Sequence, residues 1–119
     1  MKLKKLPYSL TVAKYDRLPK VPVGFSSLSV AEGEVSLVCE STRLPQGYVK
    51  REDGWRAFMV QGPLDFSLVG ILSRLSSILA ERGIPIFALS TFDTDYLLVK
   101  EEFFTKAVEA FLQSGVSIE

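Results

Sequence analysis

Histidine is absent from this 119-residue chain, and cysteine occurs once, at Cys39. The missing imidazole removes Ser–His and Cys–His catalysis, histidine acid–base chemistry near neutral pH and the usual zinc sites. A lone cysteine has no internal disulfide partner, which fits a reducing, cytoplasmic setting. Its apolar flank of Val35, Leu37 and Val38 reads as a strand carrying a buried thiol. Net charge is lacking too, because fourteen Lys plus Arg balance fourteen Asp plus Glu. The balance leaves no overall basic footprint for nucleic acid or an anionic membrane. No apolar run approaches the roughly 18 residues of a membrane span. The lysine-rich start (Lys2, Lys4, Lys5) reaches Pro7 and Ser9 without the apolar core of a signal peptide.

What is present is an ordinary globular composition, 47% apolar and 24% charged, in a length that suits one domain or two very small ones. The clearest periodic signal is Leu68, Ile71, Leu72, Leu75, Ile78 and Leu79, spaced by threes and fours. That stripe predicts an amphipathic helix from about 67 to about 82, ended by Gly83 and Pro85. A second stripe, Phe104, Ala107, Val108, Phe111 and Leu112, predicts a helix over roughly 101–114, opened by Glu101 and Glu102 and closed by Gly115. Between the helices, Ile84 to Ser90 and Tyr96 to Val99 read as paired strands. With Trp55–Val60 before and Val116–Ile118 after, the order from residue 54 is βαββαβ. This is the ferredoxin-like arrangement of an α+β fold, with two helices over one face of an antiparallel sheet.

The first half is strand-rich. Ser9–Ala13, Phe25–Val30 and Glu34–Cys39 are its candidates, the last two joined at Ala31-Glu32-Gly33 as a hairpin. Asp53-Gly54 reads as another hairpin turn, and Arg43–Tyr48 as a connector. The expected division is therefore 1–53 and 54–119, with Trp55 beside the junction.

Two long blocks carry a family resemblance: Gly54-Trp55-Arg56 through Gln61-Gly62-Pro63-Leu64-Asp65-Phe66-Ser67 to Leu72, and Ile86-Phe87-Ala88-Leu89-Ser90-Thr91-Phe92-Asp93-Thr94-Asp95 to Val99. Together with Phe25–Leu28 and Glu34–Cys39, they make the chain resemble small bacterial ACT-domain proteins. It is similar as well to the cytosolic arginine sensor of the target-of-rapamycin pathway and, more distantly, to aspartokinase regulatory domains. The resemblance implies tandem ferredoxin-like ACT domains, the first copy truncated. It further implies a non-catalytic sensor of a free amino acid at an ACT–ACT interface, with no cofactor and no metal.

The resemblance also points to a ligand site of Gly62, Pro63, Leu64, Asp65, Phe66, Ser67, Val69 and Gly70, facing Thr91, Phe92, Asp93, Thr94 and Asp95. Physical reasoning supplies a parallel case. A helix N-terminus offers unpaired N–H groups to a carboxylate, while Asp93 or Asp95 can accept from an ammonium. The residues alone favour a simpler account of the loop, with Gly62-Pro63 a turn, Asp65 or Ser67 a cap and Gly70 a close-packing position, while Asp-Thr-Asp fits a solvated hairpin tip equally well. Leu68 and Val69 stand where the arginine-sensing relatives carry an acidic residue. A buried guanidinium would lose its partner there, which favours a neutral or apolar amino acid. The competing function is a protein-interaction module without a small ligand. For assembly, a homodimer is favoured, because leftover sheet edges invite symmetric association.

Overall fold

The computed structural model describes residues 1–61 and 70–119. In chain order its strands and α-helices are β1 (Lys2–Lys5), β2 (Leu10–Tyr15), β3 (Ser26–Ala31), β4 (Glu34–Glu40), β5 (Tyr48–Val60), α1 (Ile71–Ala80), β6 (Phe87–Ser90), β7 (Asp95–Lys100), α2 (Phe104–Gln113) and β8 (Ser117–Ile118). They form two compact units: an N-terminal unit of Tyr8–Trp55, and a C-terminal unit of Met1–Pro7 together with Arg56–Glu119.

In the N-terminal unit the strands lie in the order β3-β4-β2-β5. The expected hairpin forms between β3 and β4, where Ala31 opposes Glu34 and leaves Glu32-Gly33 as a two-residue turn. Gly33 takes φ 76° there, a left-handed backbone that glycine adopts without a Cβ clash. On one face Ala13, Tyr15, Leu37 and Cys39 are buried together, with Val35 and Leu44 packed against them. Leu44 comes from the expected connector, which follows a short 3-10 turn at Ser41–Arg43.

Polar groups complete that covering. Thr11 is fully buried, and its hydroxyl donates to Asp53 Oδ1 at 2.7 Å while lying 2.7 Å from Ser41 Oγ. A hydroxyl has one proton to give, so Ser41 is the donor in the second bond. Arg51 adds two bonds to the same Asp53 oxygen, at 2.8 and 3.1 Å. Tyr15 donates its phenolic proton to the Pro45 carbonyl at 2.7 Å.

Asp53-Gly54 is not a hairpin turn. It lies inside β5, where Leu10 opposes Trp55 but Val12 opposes Glu52. Two steps along β2 therefore match three along β5, which is a bulge. Gly54, at φ 81°, supplies the positive φ that a glycine bulge uses, and the strand continues.

The C-terminal unit is the predicted ferredoxin-like fold with one strand added. Its sheet order is β6-β7-β5-β1-β8. The helices bury Leu75, Leu79, Ala107, Ala110 and Phe111 against Leu3, Phe58, Val60, Leu97 and Val99 of the strands. Phe58 stacks on Phe104 at 5.0 Å and meets the edge of Phe111 at 5.2 Å. Both helices end on the expected glycines. Gly83 donates to Ala80 O and Ile84 to Leu79 O, while Gly115 donates to Leu112 O and Val116 to Phe111 O. These bonds satisfy the last carbonyls of each helix. Glu101–Phe103 is a 3-10 turn leading into α2, and β6 starts only at Phe87 because Pro85 offers no N–H to a ladder.

The added strand is β1. The expected division grouped residues 1–7 with the first half. Here Leu3 instead pairs antiparallel with Val60 of β5 and parallel with Ile118 of β8. Only Leu3 within the strand is buried, so the surrounding lysines hide its character in the sequence. Once β1 is set aside, β2–β5 and β5–β8 share one topology: second strand, third, first, fourth.

Candidate functional site

In the C-terminal unit α1 leads back along the sheet and β6 returns, so the start of α1 and the β6–β7 turn share one end of the sheet. Of the predicted site, Gly70 and the Thr91–Asp95 turn lie at that end. The remaining members Gly62, Pro63, Leu64, Asp65, Phe66, Ser67 and Val69 fall outside the described residues. Gly70 is exposed and caps α1 with φ 82°, without a side-chain bond to the helix. No acidic side chain occupies the first turn of α1, so among the described residues nothing there offsets the positive end of the helix.

The β6–β7 turn closes on itself. Ser90 opposes Asp95, and between them Thr91 N–H donates to Thr94 O at 2.8 Å. The Thr91 hydroxyl donates to the same carbonyl and accepts from Thr94 N–H, each at 3.2 Å. Phe92, at the tip, is 77% exposed, and Asp93 is exposed beside it. Asp95 is half-buried and accepts a hydrogen bond from Ser90 Oγ on Oδ1 at 2.6 Å. Among the described residues Oδ2 of Asp95 has no partner, which leaves an anchored carboxylate with an unused acceptor.

The N-terminal unit holds a feature that sequence reasoning missed. Tyr15, Asp16, Arg17, Leu18, Pro19, Gln46 and Gly47 line an open hollow of about 280 Å³. Topologically it follows the first strand of its unit and precedes the fourth. The legible signal was Asp16-Arg17 at the end of a strand with Gln46-Gly47 ahead of another. Tyr15 in its lining is pushed above its ordinary value by burial, helped by the neighbouring Cys39. Burial also raises Cys39, with Glu40 adding to it, so the thiol stays protonated and inert, as expected of a structural cysteine. The hydrogen bond from Arg51 to Asp53 holds the guanidinium above its ordinary value.

No helix among the described residues is long and apolar enough to cross a membrane. A family model described as ACT domain matches residues 50–113. A crystal structure of a protein from Agobacterium tumefaciens is 35% identical, with a TM-score of 0.86 over 99% of this chain and 91% of that one. Two aspartate kinases are similar in fold. The Clostridium acetobutylicum enzyme is 16% identical with a TM-score of 0.68, over 92% of this chain and 32% of its own. The Synechocystis enzyme is 14% identical with a TM-score of 0.71, over 99% and 27% respectively.

Proposed function

The chain belongs to the ACT-domain family, and from that premise we propose that it is a non-catalytic cytoplasmic sensor made of two tandem ACT copies, the first truncated, that binds a free amino acid. ACT domains are regulatory amino-acid-binding modules, as in aspartokinase. The shared strand order of β2–β5 and β5–β8 supports the tandem reading. The observation that carries the ligand reading is Asp95, held by Ser90 at the end of the sheet where α1 begins. Its remaining oxygen suits an ammonium, and the helix start suits a carboxylate. Leu68 and Val69 offer no charge to a guanidinium. A neutral or apolar amino acid is therefore the proposed ligand.

A thermal-shift screen against the twenty amino acids and a few nucleotides tests this. A ligand at a hundredfold its Kd adds about 2.7 kcal/mol, and each kcal/mol raises the midpoint by roughly 4–8 °C in a domain near this size. One amino-acid class shifts the wild type, and Asp95→Ala abolishes the shift. Silence across the panel, or a full response in Asp95→Ala, overturns the reading. A second reading, an interaction module without ligand, draws on the β6–β7 turn, whose threonines satisfy each other. Silence in the screen favours it.

A further inference from the structure

The link between β2 and β3 alternates aliphatic residues with prolines: Leu18-Pro19-Lys20-Val21-Pro22-Val23. Proline fixes its own φ and drives the residue before it out of the helical region, so Leu18, Pro19, Val21 and Pro22 are all held extended. Exposure along the segment repeats every third residue. Pro19 and Pro22 are half-buried, while Leu18 with Val21 and Lys20 with Val23 are exposed. A period of about three residues is that of a polyproline II helix, with the proline ridge kept inward and two ridges turned out. The Ser26 hydroxyl donates to the Pro22 carbonyl at 3.1 Å and fixes the end nearest β3. Leu18, Val21 and Val23 are 66%, 46% and 80% exposed. Arg17 and Lys20 stand among them, exposed and without an ion pair among the described residues. Leu44-Pro45 in the connector repeats the pairing of leucine with proline, but there the leucine packs onto the buried cluster. Aliphatic side chains gathered on the outside of one segment mark an interaction surface.

We propose that residues 17–23 are a preformed extended ligand for a groove on a partner protein, lined by aromatic side chains that receive Leu18 and Val21 and rimmed by carboxylates that face Arg17 and Lys20. A segment already held extended loses little conformational entropy on docking, which is why aromatic grooves capture polyproline II chains. The three-residue spacing sets Leu18 and Val21 on one ridge, as two neighbouring pockets of such a groove require. The free guanidinium and ammonium select an acidic rim over a basic one. A lipid surface needs no such spacing, and two cations beside Asp16 give it little to attract. The inference uses no residue of the amino-acid site, so each reading can fail without the other.

Photo-cross-linking in the cells of origin tests it, using the full chain with benzoylphenylalanine in place of Val23. One partner protein is expected to be captured from that position and not from the same probe in place of Leu112, which is exposed on α2. The captured protein is then purified and titrated with the full chain. Val21→Glu is expected to raise the Kd at least roughly tenfold, because it puts a charge into an apolar pocket beside an acidic rim. Lys20→Glu raises it as well and removes most of its salt dependence, while Leu112→Glu leaves it unchanged. Both replaced side chains are exposed, so the variants keep the wild-type melting midpoint. Should Val21→Glu nonetheless fail to fold, Lys20→Glu gives the reading alone. The absence of any adduct from position 23 overturns the proposal. So does an adduct only with lipid or with a second copy of this chain, or a partner that binds both variants as tightly as the wild type.

Discussion

In the C-terminal unit two helices lay Leu75, Leu79, Ala107, Ala110 and Phe111 over the sheet. In the N-terminal unit the segments at the same places in the strand order are the stretch 16–25 and the connector after β4. There Leu44 packs over Ala13, Tyr15, Leu37 and Cys39, and bonds from Thr11, Ser41, Arg51 and Tyr15 close the rest. The same strand topology is thus covered in one case by apolar area and in the other largely by directed hydrogen bonds. Apolar burial spreads its contribution over many atoms. A polar network concentrates it in a few directed bonds.

That contrast sets an order of expected effects. Phe111→Ala removes a fully buried ring in edge contact with Phe58 and is expected to cost about 3–5 kcal/mol in denaturant unfolding. Thr11→Val keeps the shape but strips the hydroxyl shared by Ser41 and Asp53; because Asp53 is exposed and keeps its bonds from Arg51, the expected cost is that of ordinary hydrogen bonds, about 0.5–1.5 kcal/mol. If the two cost the same, the distinction between the coverings fails.

The smallest effect lies in pH dependence, and it separates the units by limb. Lys2, chiefly through its hydrogen bond, holds the Glu119 carboxyl below its ordinary value of 4.5. A depressed carboxyl contributes stability above its unfolded value and loses it as pH falls through the folded one, so the C-terminal unit supplies an acid limb below about 4.5. Both groups are half exposed, which keeps that limb shallow. Burial raises Cys39 and Tyr15 above 9.0 and 10.0, so the N-terminal unit holds its full contribution below those values and loses it as pH rises past them. Lys2→Met is expected to flatten only the acid limb of a melting-temperature profile, and Tyr15→Phe only the alkaline one.

Both helices and most strands were legible because their apolar spacing had a single reading. The stripe from Ile71 to Leu79 admits only a helix, and the glycines at 83 and 115 end their helices for the reason expected. Two features were hidden, each where a residue type serves more than one purpose. Gly54 permits a positive φ, which a hairpin and a bulge both need; the pairing of Leu10 with Trp55 decides for the bulge. Lys-Leu-Lys-Lys reads as a polar tail, since one buried leucine among lysines leaves no period to detect. Of the candidate site, Thr91–Asp95 was readable as a turn from its Asp and Thr content. The bond that fixes Asp95 depends on the register of Ser90 opposite it, which spacing alone does not give.

The place of β1 bears on the order in which the molecule assembles. Leu3 finds Ile118, so the C-terminal sheet closes around a loop that contains the whole N-terminal unit, and a loop of that length is entropically slow to shut from a disordered chain. Tyr8–Trp55, by contrast, is contiguous and brings its own ends together where Leu10 meets Trp55. Folding that insert first turns a long search into a short one.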